Sequence, residues 1–155
     1  MKHTVVDSPI GPLTLVADDG ALVGVYMAEH RHRPIIDGPR DDTVLPAARE
    51  QLEAYFRRDL KDFDLPLKVK GSPFQQEVWA ALRTIPYGES WSYGQLAAAV
   101  GRPLAARAVG LANGRNPVSI VIPCHRVVGS NGSLTGYGGG LERKRWLLDH
   151  EAGRE

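Results

Sequence analysis

Short apolar runs separated by turn residues open the chain and predict a small antiparallel sheet. The runs cover Val5-Val6, residues 13–16 and residues 22–26, and proline, glycine and aspartate lie between them. Short β-branched runs with such boundaries are typical of strands joined by tight turns. The polar, proline-containing stretch 30–42 that follows predicts a loop.

The rest of the first half predicts one helix and one extended segment. From Pro46 to Leu60 the apolar positions recur at the spacing of a helix, so an amphipathic helix is expected there. Residues 63–67 alternate apolar and polar positions, which suits a short strand or an extended linker. Nothing in this half indicates a chemical function.

Three helical patterns follow, and two of them begin with capping residues. Ser72-Pro73 places an N-cap serine before a proline at the first helical position, and Ser92 stands three residues before a glutamine, as in a capping box. The third pattern begins near Pro103 and contains the small, arginine-bearing stretch 104–111. The second and third helices, joined by a tight turn at Gly101, resemble a helix-turn-helix.

The last part of the chain predicts a hairpin and a final helix. Val127-Val128, the Asn131-Gly132 turn and a following leucine predict the hairpin, which would form the wing of a winged helix. Residues 141–151 form an amphipathic pattern in which residues 146–148 face inward and residues 143–145 face solvent. Packed helices that do not bind DNA give similar patterns, so the helical pattern alone leaves both interpretations open.

The distribution of charge favours contact with a polyanion, although the total charge does not. The 155 residues include 19 Lys and Arg against 18 Asp and Glu, and this net charge of +1 excludes a globally basic nucleic-acid coat. Residues 1–70 have a net charge of −2 and residues 71–155 one of +3. From Ser90 to Leu141 there is no acidic residue, yet the stretch holds four arginines. This asymmetry suits a nucleic-acid partner.

Composition narrows the class of protein further. A hydrophobic content of 43% with 24% charged residues is ordinary for a soluble globular protein. The apolar runs are too short to span a bilayer, and the first residues lead into a strand pattern rather than a signal peptide. Cys124 is the only cysteine, so no internal disulfide can form and a reducing, cytoplasmic setting is expected.

Cys124 is the candidate nucleophile of the sequence. It follows the apolar stretch 118–122 and Pro123, and it precedes His125 and Arg126. A free thiol has a pKa of about 8.5, so a reactive cysteine needs a neighbouring base or cation, and both following residues are candidates. A bend at the proline or a bridging water would have to bring imidazole and sulfur together. The alternative is a buried, inert cysteine.

A histidine base also needs a carboxylate that orients it, as in other nucleophile–His–acid arrangements. Because residues 90–141 contain no acid, this carboxylate must come from another part of the chain. Glu151, at the end of the last predicted helix, is the candidate.

Pro123-Cys124-His125-Arg126 resembles the active-site signature of the O6-alkylguanine-DNA alkyltransferases, also called methylated-DNA–protein-cysteine methyltransferases. The similarity is strong across residues 72–151 and looser over residues 1–70. The further blocks that carry it are Ser92-Tyr93-Gly94, residues 105–110, Asn116-Pro117-Val118 and Tyr137-Gly138-Gly139-Gly140. The resemblance implies single-turnover DNA repair, in which O6-alkylguanine or O4-alkylthymine leaves the duplex and its alkyl group passes irreversibly to the cysteine.

The resemblance also implies roles for individual residues. Cys124 would be the alkyl acceptor, His125 its base through a water, Glu151 the group that orients the imidazole, and Asn116 the residue that shapes the active-site turn. Tyr93 would rotate the nucleotide and assist the departing purine. The remaining implied positions are Arg107 in the vacated base stack, Gly94, Arg102 and Ser130 at the DNA backbone, and Tyr137 and Gly138 in the base pocket.

The expected fold is α+β, with a small antiparallel sheet-plus-helix lobe over residues 1–70 and a winged-helix-like catalytic domain over residues 71–155. No metal or cofactor is expected, because the thiolate-containing zinc site of some relatives needs cysteines that this chain lacks. The expected partner is double-stranded DNA containing alkylated guanine, without a membrane. A monomer is expected, and clustering on DNA is left open.

Two other functions remain open from the sequence. The first is a winged-helix lesion sensor or regulator whose cysteine is incidental. The second is a cysteine hydrolase that uses Cys124 and His125, although no oxyanion-binding motif is evident nearby.

Overall fold

The computed structural model describes residues 1–36 and 38–154 and confirms the predicted meander. Strands β1 (Lys2–Val6), β2 (Leu13–Asp18) and β3 (Ala21–Met27) form an antiparallel sheet in that order. The β2–β3 pairing contains an irregularity between Val16 and Ala17. The inner face of the sheet is apolar, and it packs into the common core.

Helix α1 (Pro46–Phe56) contributes to the same core as the sheet and is shorter than the pattern from Pro46 to Leu60 predicted. Its apolar stripe buries Ala48, Leu52 and Tyr55. The chain leaves the helix through Arg58, whose φ of 67° lies in the left-handed region. The following extended stretch forms a parallel bridge from Leu67 to Leu22 on β3, which fits the expected extended segment.

The three predicted helices of the second half are present as α2 (Pro73–Leu82), α3 (Tyr93–Ala99) and α4 (Ala106–Gly114). Helices α2 and α3 each begin with a complete capping box, formed by a serine at the N-cap and a glutamine three residues on. Helix α4 begins later than the pattern near Pro103 indicated, because a turn closed by Ala105 N and Arg102 O precedes it. Helices α2, α3 and α4 pack against one another.

The predicted hairpin at Val127-Val128 is wrong. Strands β4 (Trp91–Ser92) and β5 (Val127–Val128) instead pair in parallel. The turn after β5 does form, with Gly129 N donating to Ser133 O at 2.8 Å, but in the described part of the chain no antiparallel strand follows it. The Asn-Gly turn was therefore predicted correctly and its flanking strand pairing was not.

Helix α5 (Leu141–Glu151) has the predicted bounds, but its basic residues are not all solvated. The side chain of Lys144 is fully buried, and the guanidinium of Arg143 donates to the carbonyl oxygens of Ile10 and Gly139 at 3.0 and 3.1 Å. The expectation that residues 143–145 form a solvated face is wrong for these two. Within the described residues no helix is long and apolar enough to cross a membrane.

We expect Trp79→Phe to lower the free energy of unfolding by about 1–3 kcal/mol. The indole N–H of Trp79 on α2 donates to the carbonyl oxygen of Ala112 on α4 at 2.9 Å, and phenylalanine cannot replace that donor. Urea denaturation would measure the change. Trp91→Phe is the matched control, because the half-buried Trp91 indole has no hydrogen-bond partner among the described residues. Equal losses in the two variants would assign the effect to ring size rather than to the hydrogen bond.

Candidate active site

Cys124 lies at the start of a buried 3-10 turn that spans Cys124–Arg126. Pro123 bends the chain away from the apolar segment before it, as the sequence required. Two asparagines hold the turn. Asn116 donates its Nδ2 to Ile122 O at 2.7 Å and accepts from Val118 N at 3.0 Å, and Asn113 donates its Nδ2 to Cys124 O at 3.3 Å.

Cys124 is 5% exposed, and the surroundings of its thiol oppose ionisation. Burial raises the pKa of the thiol, while the side chain of Asn116 and the charge of Lys144 act in the opposite direction without reversing the shift. Arg126, one of the two activating groups considered from the sequence, does not face the thiol. It donates to Glu151 and to Ile85 O instead.

The carboxylate of Glu151 is the centre of a buried hydrogen-bond network. It accepts from Nε2 of His125 at 2.7 Å and from the hydroxyl of Tyr55 at 2.7 Å. Arg126 donates to both carboxylate oxygens, at 2.7 Å from Nε and at 3.1 Å from Nη2. Burial alone would raise the pKa of Glu151, but the charges and hydrogen bonds of His125 and Arg126 outweigh it and hold this pKa well below its usual range.

The contact with Glu151 assigns the two ring nitrogens of His125 different roles. A carboxylate can only accept, so Nε2 carries the proton and Nδ1 of the neutral ring is left as an acceptor. Nδ1 is fully buried, and among the described residues it has no hydrogen-bond partner. The next residue after the cysteine therefore presents an unused proton acceptor.

Helix α5 and the glycine-rich loop before it form the wall beside the thiol. Lys144 donates its Nζ to Thr135 O at 2.7 Å, and burial lowers the pKa of Lys144 to about 8. Tyr137 is buried as well, and burial together with the negative charge of an ionised Cys124 raises the pKa of its hydroxyl well above the usual value.

An open groove of about 1010 Å³ leads over this wall. Tyr93, Arg107, Tyr137 and Gly138 line it. The hydroxyl of Tyr93 contacts Thr135, donating to its carbonyl oxygen at 3.2 Å and accepting from its hydroxyl at 3.1 Å. The guanidinium of Arg107 is exposed and, within residues 1–36 and 38–154, has no polar partner.

The other three predicted DNA contacts lie outside the lining of this groove. Gly94 is exposed at the start of α3, and Ser130 is exposed on the turn after β5. Arg102 packs its guanidinium over the ring of Phe74 at 5.3 Å and lies 3.9 Å from Glu77. The acid-free stretch thus meets an acidic residue of α2 in space.

Sequence reasoning missed Tyr55 and Lys144. Tyr55 was assigned to the core by its helical spacing, and nothing local indicates that its hydroxyl reaches Glu151. Lys144 offered a usable signal, because it precedes Leu147 by three positions and Glu151 by seven and so shares their face of α5.

Both parts of the chain match models of one protein family. Residues 1–69 match the model described as 6-O-methylguanine DNA methyltransferase, ribonuclease-like domain. Residues 73–153 match the model described as 6-O-methylguanine DNA methyltransferase, DNA binding domain.

Individual relatives extend over almost the whole chain. The methylated-DNA–protein-cysteine methyltransferase of Mycobacterium bovis is 51% identical over 155 residues, 99% of this chain and 94% of its own. That of Methanosarcina acetivorans is 46% identical, over 97% of this chain and 98% of its own. The crystal structure of Mycobacterium tuberculosis OGT in complex with DNA superposes with a TM-score of 0.94 at 51% identity, covering 99% of this chain and 94% of that one.

The site thus combines a buried thiol and a neighbouring imidazole–carboxylate pair with a groove that carries an exposed arginine. The chain belongs to the 6-O-methylguanine DNA methyltransferase family. Its function is DNA repair by alkyl transfer, and it binds DNA. The expected α+β fold and the expected enzyme, a methylated-DNA–protein-cysteine methyltransferase, are confirmed.

We expect Glu151→Gln to lower the free energy of unfolding by about 3–5 kcal/mol at neutral pH, because it leaves Arg126 buried without its counter-charge. The pKa of Glu151 is depressed in the folded state, so its contribution is fully present above the unfolded value of about 4.3 and declines progressively as the pH falls from there through the folded-state pKa. Urea denaturation at pH 7 and pH 3 would show the difference between wild type and variant shrinking in acid.

Glu142→Gln is the matched control, since Glu142 lies exposed in the first turn of the same helix. Glu142→Gln should lower the free energy of unfolding by less than about 1 kcal/mol. A Glu151→Gln deficit of the same size at pH 3 and pH 7 would contradict the assignment of the charge to this network.

Proposed function

We propose that Cys124 is the alkyl acceptor and that the donor is O6-alkylguanine flipped out of double-stranded DNA. The observation that carries the proposal is the buried, unpartnered Nδ1 of His125, the residue that follows the only cysteine in the sequence. O4-alkylthymine presents the same kind of alkyl–oxygen bond and is included in the proposal. This proposal deepens the repair function of the family by naming the acceptor and the substrate.

The proton of the Cys124 thiol passes through a water to Nδ1 of His125, and the imidazolium that forms is stabilised by Glu151. The sulfur then attacks the alkyl carbon. A carbon–sulfur bond forms as the carbon–oxygen bond breaks, and the electron pair of the broken bond returns to the departing base. The base takes up a proton from water, and the imidazolium of His125 returns its proton to water, so that the step balances. The thioether product has no leaving group comparable to the purine, so the protein acts once.

The base must leave the stack, because sulfur cannot reach an O6-alkyl carbon inside a duplex, and flipping costs a few kcal/mol. Tyr137 and Gly138 line the groove above the thiol and are proposed to receive the flipped base. Tyr93, at the edge of the same groove, is proposed to rotate the nucleotide and to assist the departing purine. Asn116 keeps the active-site turn in shape through its two backbone hydrogen bonds.

Helix α4 is proposed to enter the DNA with Arg107 in the vacated stack. The helix carries alanines around this arginine, which permits close approach to the groove of the DNA. Gly94, Arg102 and Ser130 are proposed contacts to the DNA backbone, and all three are exposed. Contacts of this kind carry little sequence information, which suits a protein that must act on lesions in any context.

The lobes over residues 1–70 and 71–155 are proposed as separate functional parts, and the second holds every residue to which a role is assigned above. We further propose that one chain acts alone, because the thiol, base and carboxylate all come from the same chain. The reducing, cytoplasmic setting stays a prediction.

We expect duplex DNA containing O6-methylguanine to leave one methyl group on Cys124 per chain, measured by mass spectrometry of the intact protein and its peptides. Cys124→Ser should bind the same duplex with unchanged affinity and acquire no methyl group, because the serine hydroxyl is a far weaker nucleophile. Tight binding of the lesion by the wild type with the thiol unmodified would indicate a lesion sensor instead. Repeated turnover of an acyl substrate would indicate a cysteine hydrolase.

A further inference from the structure

The groove above the thiol has a second wall that comes from the N-terminal lobe. Arg31 and His32 line it together with Gly138, facing the side formed by Arg107 and Arg115. These two residues belong to the stretch 30–42, which the sequence predicted as a loop without chemistry. The structure places them on the same surface as the proposed DNA contacts.

The backbone of this segment is fixed to the base-pocket loop. Arg31 N donates to Gly138 O at 2.6 Å. The neighbouring His30 accepts from Met27 N through its Nδ1 at 3.1 Å, and its ring packs so closely on Gly138 that a Cβ there would lie 2.8 Å from Nε2. Arg33 donates to the hydroxyl of Thr14 at 3.1 Å. His30 and Arg33 therefore hold the segment in place.

The side chains of Arg31 and His32, which lie between His30 and Arg33 in the chain, do not hold the segment in place in this way. Both side chains are exposed, and in the part of the chain that the structure describes neither has a hydrogen-bond or ion-pair partner. A guanidinium offers five donors in a planar fork, and an imidazole offers at least one donor in either protonation state. Two hydrogen-bond-donating side chains are thus presented to the groove from a fixed backbone.

The charged side chains that line the groove are all of one sign. Arg31, Arg107 and Arg115 line it, and none of the described lining residues is acidic. Exposed arginines around an acid-free cleft create a positive potential that attracts an anionic partner. The groove is also continuous with Tyr93 and the base pocket, where DNA is proposed to bind.

We propose that Arg31, with His32 beside it, contacts backbone phosphates of the bound duplex, so that the DNA interface extends onto the N-terminal lobe. The inference rests on the proposed function, because it places DNA in this groove. The hydrogen bond from Arg31 N to Gly138 O joins this segment to the loop that lines the base pocket. The segment proposed to contact the phosphates therefore also supports that loop.

The test is the salt dependence of binding to an unmodified duplex, measured for the wild type and for Arg31→Gln. Each phosphate contact contributes about 0.9 to the slope of log affinity against log salt concentration. Arg31→Gln should reduce the magnitude of that slope by about 0.9 and weaken binding about three- to tenfold at low salt. Arg31→Lys, which keeps the charge, should retain most of the slope.

Arg57→Gln is the matched control, because it removes one positive charge from the same lobe at a residue that is paired with Asp59 and does not line the groove. It should leave the slope unchanged. An unchanged slope in Arg31→Gln, or weaker binding at an unaltered slope, would overturn the proposed phosphate contact.

Methylation of Cys124 by free O6-methylguanine, which has no phosphate, separates this inference from the proposed function. The wild type and Arg31→Gln should react with the free base at the same rate. If the wild type acquires no methyl group from either the base or the duplex, the proposed function fails. If the wild type is methylated and Arg31→Gln binds DNA with the same salt dependence as the wild type, only the phosphate contact of Arg31 is overturned.

Discussion

The buried carboxylate of Glu151 is the constraint on which the site depends. Four hydrogen bonds converge on it, from Tyr55, His125 and two of the three guanidinium nitrogens of Arg126. Taking a carboxylate out of water costs several kcal/mol, so burial is tolerable only when its acceptor sites are filled and its charge is balanced. Arg126 balances the charge, which leaves the contact with His125 to determine the tautomer of the imidazole.

The same network joins parts of the chain that are remote in sequence. Tyr55 belongs to α1, His125 and Arg126 to the 3-10 turn, and Glu151 to the last turn of α5. Misplacing any one of these elements would leave a buried polar group without its partner, which costs more than the hydrogen bond itself contributes. The network therefore fixes the relative position of the helices and, through them, of the thiol.

Local patterns predicted most of the elements, because caps and turns are read from neighbouring residues. The capping boxes at Ser72 and Ser92 begin α2 and α3 as expected. The strand that pairs with Val127-Val128 could not be predicted from neighbouring residues. That strand is β4, which is distant in sequence, and the residue pattern of one strand does not identify its partner. Glu151 was predicted by elimination of nearby acids, whereas the partner of the Tyr55 hydroxyl depends on packing between lobes.

The burial of Lys144 could not be predicted from the sequence for a different reason: its charge and its position on the helix indicate opposite environments. Its spacing on α5 places it inward, its charge suggests solvent, and the structure buries it. The burial has a consequence for the thiol. Burial lowers the pKa of Lys144 to about 8. In its protonated form Lys144 is a positive charge that lowers the pKa of Cys124, but this effect offsets the desolvation of the thiol only in part.

A thiol held mostly neutral suits the proposed function, in which Cys124 is used once. An exposed thiolate is oxidised readily, and the reaction that destroys it would also destroy the function of the chain. Burial raises the pKa of Cys124 and so suppresses that loss, but it also removes the nucleophile that the reaction needs. The two requirements are compatible if the proton leaves only when a substrate is in place. In the proposed reaction, the unpartnered Nδ1 of His125 accepts the proton at that point. Glu151, by keeping the other ring nitrogen protonated, reserves Nδ1 for this proton.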